Sequence, residues 1–191
     1  MRLHPAPIAL SLLIALNPAF AAPRKSADDA RWDVSTALPV ATTAKFTTDE
    51  GTWLDVDVSP DGKRIAFSLL GDLYLLPIDG GRAQRITSGP AWDIQPRFSP
   101  DGAQLAFTSD RDGGNNLWRI GVDGLRADEK QAVQVTKERF RLLNNPAWTP
   151  DGQYLIGRKH FTGQRSLGTG ELWMYHIGGG SEGLQLTRQK N

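Results

Sequence analysis

Ser59-Pro60-Asp61-Gly62, Ser99-Pro100-Asp101-Gly102 and Thr149-Pro150-Asp151-Gly152 are three copies of one tetrapeptide, spaced 40 and then 50 residues apart. Pro presets φ at the first corner of a turn, Asp can bond the backbone two residues on, and Gly takes a positive φ. Each copy therefore predicts a hairpin between two strands. The copies extend beyond the turn. Arg64-Ile65-Ala66-Phe67-Ser68, Gln104-Leu105-Ala106-Phe107-Thr108 and Gln153-Tyr154-Leu155-Ile156-Gly157 follow it, and then Asp72-Leu73-Tyr74-Leu75-Leu76, Asn116-Leu117-Trp118-Arg119-Ile120 and Glu171-Leu172-Trp173-Met174-Tyr175. A Gly-rich turn leads each copy into a short run ending in Thr: Arg85-Ile86-Thr87, Gln134-Val135-Thr136 and Gln185-Leu186-Thr187. Lys45-Phe46-Thr47 is a partial earlier copy of that ending.

Short β-branched, aromatic and aliphatic runs between such turns read as antiparallel strands, and helical periodicity is weak throughout. Four strands per period of about 40 residues describe one blade of a β-propeller. An ordinary β-sandwich need not repeat acid-or-amide, Leu and aromatic at matching positions. The expectation is an all-β chain of three four-stranded antiparallel blades, at about 48–87, 88–136 and 137–187, within a domain at 40–191. Propellers close with four to eight blades. Three blades predict an incomplete ring, hence the truncated leading part of a longer chain, with Val40 to Thr47 able to serve as the outer strand of a last blade.

Residues 1–22 read as a signal peptide. Arg2 and His4 precede the apolar run Ile8 to Leu16, then Pro18 and the small-x-small triplet Ala19-Phe20-Ala21. That run is about half of the ~20 residues needed to span a bilayer. Cleavage after Ala21 or Ala22 would leave a flexible polar lead at 23–39 and deliver the chain to the periplasm or outside the cell, with no transmembrane anchor. The whole chain carries 22 Lys+Arg against 21 Asp+Glu, and without Arg2 the mature chain is balanced, which excludes the basic excess of a nucleic-acid binder. With no Cys, disulfide frameworks, thiolate zinc sites and Cys nucleophiles are excluded.

With strands A to D named from the run before the tetrapeptide, the A–B and C–D turns share one end of the propeller. The B–C and D–A connections share the other, and there the copies differ, as expected of loops that bind. The B–C connections grow from Leu69-Leu70-Gly71, through Asp110 to Asn115, to Arg158 through Gly170. The D–A approaches add Asp49 to Trp53, Gly89 to Asp93 and Arg139 to Asn145. Candidate ligand-binding residues on this end are Trp92, Asp93, Asn145, Arg158, Lys159, His160 and Arg165; the last four, in one long loop, could meet a carboxylate or phosphate. Asp55 and Gln95 could join Asp93 and Asn145 at the mouth of a central channel. Trp53 and Trp92 are expected to pack between blades more than to stack on a ligand.

Other constellations fail. Asp110-x-Asp112-x-x-Asn115 has a calcium-loop look, but Gly121 stands where a bidentate Glu belongs, so a turn is expected. Asp55-x-Asp57 places two carboxylates on one strand face without a third ligand, and solvent exposure is expected. The three His residues, His4, His160 and His176, form no His-x-His or His-Glu-x-x-His pair. No Gly-x-Ser-x-Gly elbow and no phosphate-binding loop occurs. No catalytic residue, cofactor or metal site is expected in these 191 residues.

The tetrapeptides, the Leu-Tyr or Leu-Trp strands and the Thr-terminated outer strands resemble TolB-like propeller repeats over residues 46–187. Such repeats occur in periplasmic TolB-type proteins, in the propellers of prolyl-oligopeptidase-type and tricorn-type peptidases, and in exported fusions of a propeller to a metal-dependent amidohydrolase barrel. Thr48 to Trp53, Leu70 to Tyr74, Ala91 to Ser99, Arg141 to Trp148, Arg158 to Thr162 and Arg165 to Glu171 look like the leading propeller of the amidohydrolase fusions. The resemblance implies a non-catalytic binding, gating or interaction module. Its partners would be the remainder of its own chain and a protein, peptide or small molecule at the propeller face. A divalent metal such as zinc would be bound outside these residues. TolB-type proteins carry a sizeable α/β domain before the propeller, whereas about 24 residues separate the signal from the first strand here.

Overall fold

The computed structural model describes Val34 and residues 42–161 and 170–188. The signal segment at 1–22, most of the polar lead and Arg165 lie outside the described residues.

Among the described residues twelve strands form three sheets of four. The first holds β1 (Val56–Val58), β2 (Arg64–Leu69), β3 (Asp72–Pro77) and β4 (Gln84–Arg85). The second holds β5 (Ile94–Phe98), β6 (Gln104–Ser109), β7 (Asn116–Gly121) and β8 (Val133–Gln134). The third holds β9 (Leu143–Trp148), β10 (Tyr154–His160), β11 (Gly170–His176) and β12 (Leu184–Gln185). Within each sheet the spatial order is the chain order and every pairing is antiparallel. This is the meander of a propeller blade, so the chain is all-β with three blades. Among the described residues the single helical piece is the 3-10 turn Glu129–Gln131, and no helix is long and apolar enough to cross a membrane.

The tetrapeptide builds the same A–B turn three times. The Gly62, Gly102 and Gly152 N–H groups donate to the carbonyls of Ser59, Ser99 and Thr149 at 2.8, 2.8 and 2.9 Å. Each of these glycines has φ between 67° and 70°, where an L side chain would be strained. The Asp carboxylate accepts from the N–H two residues on and from the Ser or Thr hydroxyl, as between Asp101 and both Ala103 N (3.0 Å) and Ser99 Oγ (2.6 Å). The same hydroxyl accepts from the first residue of strand B, Gln104 N, at 2.9 Å. These hydroxyls first, and the backbone donors next, hold Asp61, Asp101 and Asp151 below the usual carboxylate range.

The terminal Thr of each outer strand locks the opposite end of the blade. The hydroxyls of Thr87, Thr136 and Thr187 each accept, at 2.9 Å, the N–H of a leucine near the start of strand C: Leu73, Leu117 and Leu172. Two of them donate onward to the residue before that leucine, Thr136 to Asn116 Oδ1 at 2.8 Å and Thr187 to the Glu171 carboxylate.

Apolar cores lie between blades. Ala66, Leu73, Leu75 and Ile86 of the first blade meet Phe98, Leu105, Phe107 and Ile120 of the second. Ala106, Leu117 and Val135 then meet Leu143, Leu155 and Tyr175 of the third. Gly157 occupies the position held by Phe67 and Phe107 in the other blades. A Cβ there would stand 2.8 Å from Leu117 Cδ1 and 3.0 Å from Leu143 Cδ1, so the space a side chain would take is already filled. Polar links cross the same joints: Phe98 N donates to Asp57 Oδ2 at 2.7 Å, and Trp148 Nε1 to the Arg97 carbonyl at 3.0 Å. Asp57 is thus a cross-link between blades rather than the solvated carboxylate expected from sequence.

Thr136 is buried, and Thr136→Val removes both its bonds while keeping its shape. Urea unfolding is expected to show a loss of about 1–3 kcal/mol, with Thr136→Ser retaining most of the stability.

Candidate functional site

The inner strands of the second and third blades are bulged, because register shifts lie between Ile94 and Arg97 and between Ile156 and Arg158. Pro96 and Pro146 sit at these irregularities, where a residue without an N–H costs no ladder bond. The residues before them, Gln95 and Asn145, take φ of 59° and 55°. The bulges turn both side chains toward each other. Gln95 Nε2 donates to Asn145 Oδ1 at 2.5 Å, and Gln95 Oε1 accepts from Asn145 N at 2.8 Å and Thr108 Oγ1 at 2.9 Å. Two of the residues expected at the channel mouth are therefore brought together, as a bridge between blades.

Asp93 follows from a different joint. Its N–H donates to the Gly71 carbonyl at 2.8 Å, tying the second blade to the first, and its carboxylate is buried. Arg111 Nη2 meets Asp93 Oδ2 at 2.6 Å and Glu129 Oε1 at 3.6 Å, while the guanidinium lies 5.3 Å from the Phe107 ring and 5.2 Å from that of Trp118. Arg111 thus lids the first inter-blade core with a delocalised charge that tolerates aromatic faces. Asp72 lies beside this cluster, 3.4 Å from Arg85. Burial, opposed by Arg85 and reinforced by Asp93 and Glu129, pushes the Asp72 carboxyl up to about 6.

The cationic cluster expected as a loop is organised otherwise. Arg158, Lys159 and His160 end strand β10, paired with Leu172, Glu171 and Gly170, because the B–C hairpin of the third blade stays in register for three more residues. His160 is buried. Lys159 Nζ contacts Glu138 Oε2 at 2.5 Å and lies 4.5 Å from the Trp173 ring centre. Arg158 lies against Gly170, whose added Cβ would be 2.9 Å from Arg158 Nε. Arg158, Lys159 and His160 are thus strand residues rather than loop residues. Asp110 to Gly113 is the expected turn, closed by Gly113 N to Asp110 O at 2.8 Å. Among the described residues no group of three or more His, Asp or Glu could hold a metal ion.

What this end of the molecule does offer is a groove of about 640 Å³ between the second blade's B–C loop and the approaches to the second and third blades. Trp92 and Phe140 line it with Arg139, Arg141 and the backbone of Gly113 and Gly114. Trp92 is half exposed, its N–H donates to Asp110 Oδ1 at 2.7 Å, and its ring covers Gly71. Trp53, expected to pack between blades, is instead 95% exposed, with a φ of 57°. Glu138 forms the polar edge of the groove. Burial would raise its carboxyl, but Lys159 and the N–H groups of Phe140 and Arg141 overcome this and hold it below its ordinary value. Of the predicted cations, Arg158, Lys159 and His160 do not line the groove; Lys159 contacts Glu138, which does. Phe140 and Arg141 were not singled out by sequence; their place in a D–A approach was the available signal.

Two predictions follow from this electrostatics. The folded Asp72 holds its proton up to about pH 6, against about 4 when unfolded. The folded state therefore binds the extra proton between those values, and stability falls as pH rises through that window. Asp72→Asn, which places at this position the residue that the second blade carries as Asn116, is expected to flatten that slope. It should add on the order of 1 kcal/mol at neutral pH in urea unfolding, after screening. Arg111→Met leaves Asp93 buried and unpaired and is expected to cost about 3–5 kcal/mol, with the Asp93→Asn/Arg111→Met double variant recovering much of it.

The TolB beta propeller domain model matches residues 40–177. A tricorn protease homologue of Streptomyces coelicolor is 35% identical over 108 residues, 56% of this chain and 10% of that protein. The Tol-Pal system protein TolB of Wolinella succinogenes is 30% identical over 116 residues, 59% of this chain and 26% of that protein. Among solved structures, TolB from Acinetobacter baumannii superposes with a TM-score of 0.54 at 22% identity, covering 73% of this chain and 33% of that one. Puromycin hydrolase gives 0.51 at 19%, covering 73% and 22%. The chain thus spans about a quarter or less of the curated relatives described, and the structural likenesses speak to fold. With the meander blades, the triplicated turn and a model match over most of its length, the chain belongs to the TolB beta propeller domain family.

Proposed function

We propose that this chain is a non-catalytic, exported propeller module that uses its B–C/D–A end to bind a protein, peptide or small molecule. The observation that carries this is the asymmetry of the two ends. One end repeats a fully satisfied Ser/Thr-Pro-Asp-Gly turn three times, whereas the other leaves Trp92 and Phe140 exposed at a groove. Large aromatics with flanking Arg are the residue types that dominate binding energy at interfaces.

The finer reading is that the module is the leading propeller of a longer amidohydrolase-like hydrolase, where it binds or gates substrate. It rests on the segment resemblances at Thr48 to Trp53, Ala91 to Ser99 and Arg141 to Trp148. Any divalent metal would then be held by the barrel, and the signal-like residues 1–22 would direct the product to the periplasm or outside the cell. Two other readings have a relative behind them. A periplasmic scaffold for envelope proteins fits the TolB relative, and the propeller cap of a serine peptidase fits the tricorn protease homologue.

Reading the gene past Asn191 separates the three. Further Ser-Pro-Asp-Gly copies and a His-x-His barrel are expected; a downstream Gly-x-Ser-x-Gly would move the assignment to the peptidase cap, and blades with neither would leave the scaffold. In the full chain, Trp92→Ala with Phe140→Ala is expected to weaken ligand binding or kcat/KM about tenfold at unchanged Tm. Unaltered binding would remove the groove from the reading.

A further inference from the structure

Trp92 stands where the groove meets the first joint between blades. It lines the groove, and its ring also lies on Gly71, where an added Cβ would stand 2.9 Å from Trp92 Cε3. The Gly71 carbonyl accepts the N–H of Asp93 at 2.8 Å. The turn between β2 and β3 therefore supports both the Trp92 ring and the backbone beside it. Leu70 in that turn is exposed and takes a φ of 54°, a conformation that is costly for an L side chain. The seat of Trp92 is thus a short, strained turn with solvent on its outer side.

Asp72, the next residue, holds a carboxyl in crowded company. Its side chain is 15% exposed, it lies 3.4 Å from Arg85 of β4, and its cross-strand partner on β2 is the apolar Leu69. Burial raises its proton affinity most, and Asp93, from the approach to the second blade, and Glu129, from the 3-10 turn, raise it further. The cation of the second blade's B–C loop, Arg111, is already held by Asp93 at 2.6 Å and Glu129 at 3.6 Å. With Asp72 neutral, the carboxylates of Asp93 and Glu129 are matched by the guanidinium groups of Arg85 and Arg111. Ionised, Asp72 adds an unmatched negative charge where burial already disfavours one. The second blade avoids this conflict by carrying the neutral Asn116 at the same position.

We propose that Asp72 is a protonation switch for the groove: neutral, it keeps the Leu70-Gly71 turn in place beneath Trp92, and ionised, it draws that turn toward water and unseats the ring. This rests on the reading that the groove binds through Trp92, and not on what the ligand is. The path is short. Asp72 is bonded to Gly71, so movement of the turn breaks the Gly71–Asp93 bond and uncovers the underside of Trp92 in one step. The Trp92 N–H stays with Asp110 Oδ1 at 2.7 Å, and Arg111 stays with Asp93. The ring therefore gains rotamer freedom while its backbone remains anchored. The sign follows from linkage: a conformation that raises a group's proton affinity is favoured at low pH. Binding through Trp92 is strong below about pH 6 and weakens above it. A carboxyl pushed up to about 6, from about 4 in a relaxed turn, bounds the effect at roughly a hundredfold.

The test is fluorine NMR on the full-length protein labelled with fluorotryptophan, the Trp92 signal being assigned by Trp92→Phe. That signal is expected to move with a midpoint near pH 6, and in Asp72→Asn to hold its acid position throughout. Every other titratable group is present in both proteins, so the difference isolates Asp72. A Trp92 signal that ignores pH, or that moves equally in Asp72→Asn, overturns the proposal. The aromatic anion anilinonaphthalene sulfonate probes the groove by fluorescence, with the binding lost in Trp92→Ala/Phe140→Ala counted as groove binding. Its affinity there is expected to fall at least about threefold between about pH 5 and about pH 7.5, and to stay level in Asp72→Asn. Groove affinity that stays level in the parent protein also overturns the proposal. A titrating Trp92 with no groove binding at all would remove the groove from the functional reading and uphold the switch; binding that needs both aromatics beside a fixed Trp92 signal would do the reverse.

Discussion

A four-stranded meander has two apolar faces and no way to cover either by itself. That constraint organises this molecule. Ala66, Leu73 and Ile86 are buried because Phe98, Leu105 and Phe107 arrive from the next sheet, and Ala106, Leu117 and Val135 are buried because Leu143 and Leu155 arrive in turn. Small residues at positions 66 and 106 let the sheets approach, and Gly157 yields its volume to Leu117. Burial in the middle of the chain is therefore a property of the joints, and a blade is only as stable as its neighbours make it.

Hydroxyl groups convert those joints into a specific geometry. At one end a Ser or Thr satisfies strand B and orders its Asp; at the other a Thr caps the start of strand C. These bonds close locally, within one blade. The B–C/D–A end is different. Several of its polar groups are spent on links between blades, Gln95 with Asn145 and Asp93 with Arg111, while Trp92, Phe140, Arg139 and Arg141 line the groove. Large aromatics flanked by arginines are residue types that contribute strongly to recognition.

Much of the fold was legible because its signals are local. The Pro, Asp and Gly of each turn act on backbone within about five residues, the Thr of each outer strand acts on the neighbouring strand of its own blade, and the geometry recurs in every copy. The groove was less legible. That the B–C and D–A loops share an end followed from strand parity, but how far β10 runs before turning did not, since nothing in Arg158-Lys159-His160 marks the end of pairing. Those residues became strand, with His160 buried and Lys159 spent on Glu138. Trp53 differs in the opposite direction: an aromatic in an approach segment reads as core, and here it is 95% exposed.

Sequence alone determined the blade, its repeat, its turns and the end on which variation gathers, since each of these rests on short-range conformational preference. Tertiary structure decided which polar residues are spent on joints and which stay free to bind. It also decided which apolar faces remain uncovered. Both depend on what the neighbouring sheet brings within a few ångströms, and periodicity carries no record of that.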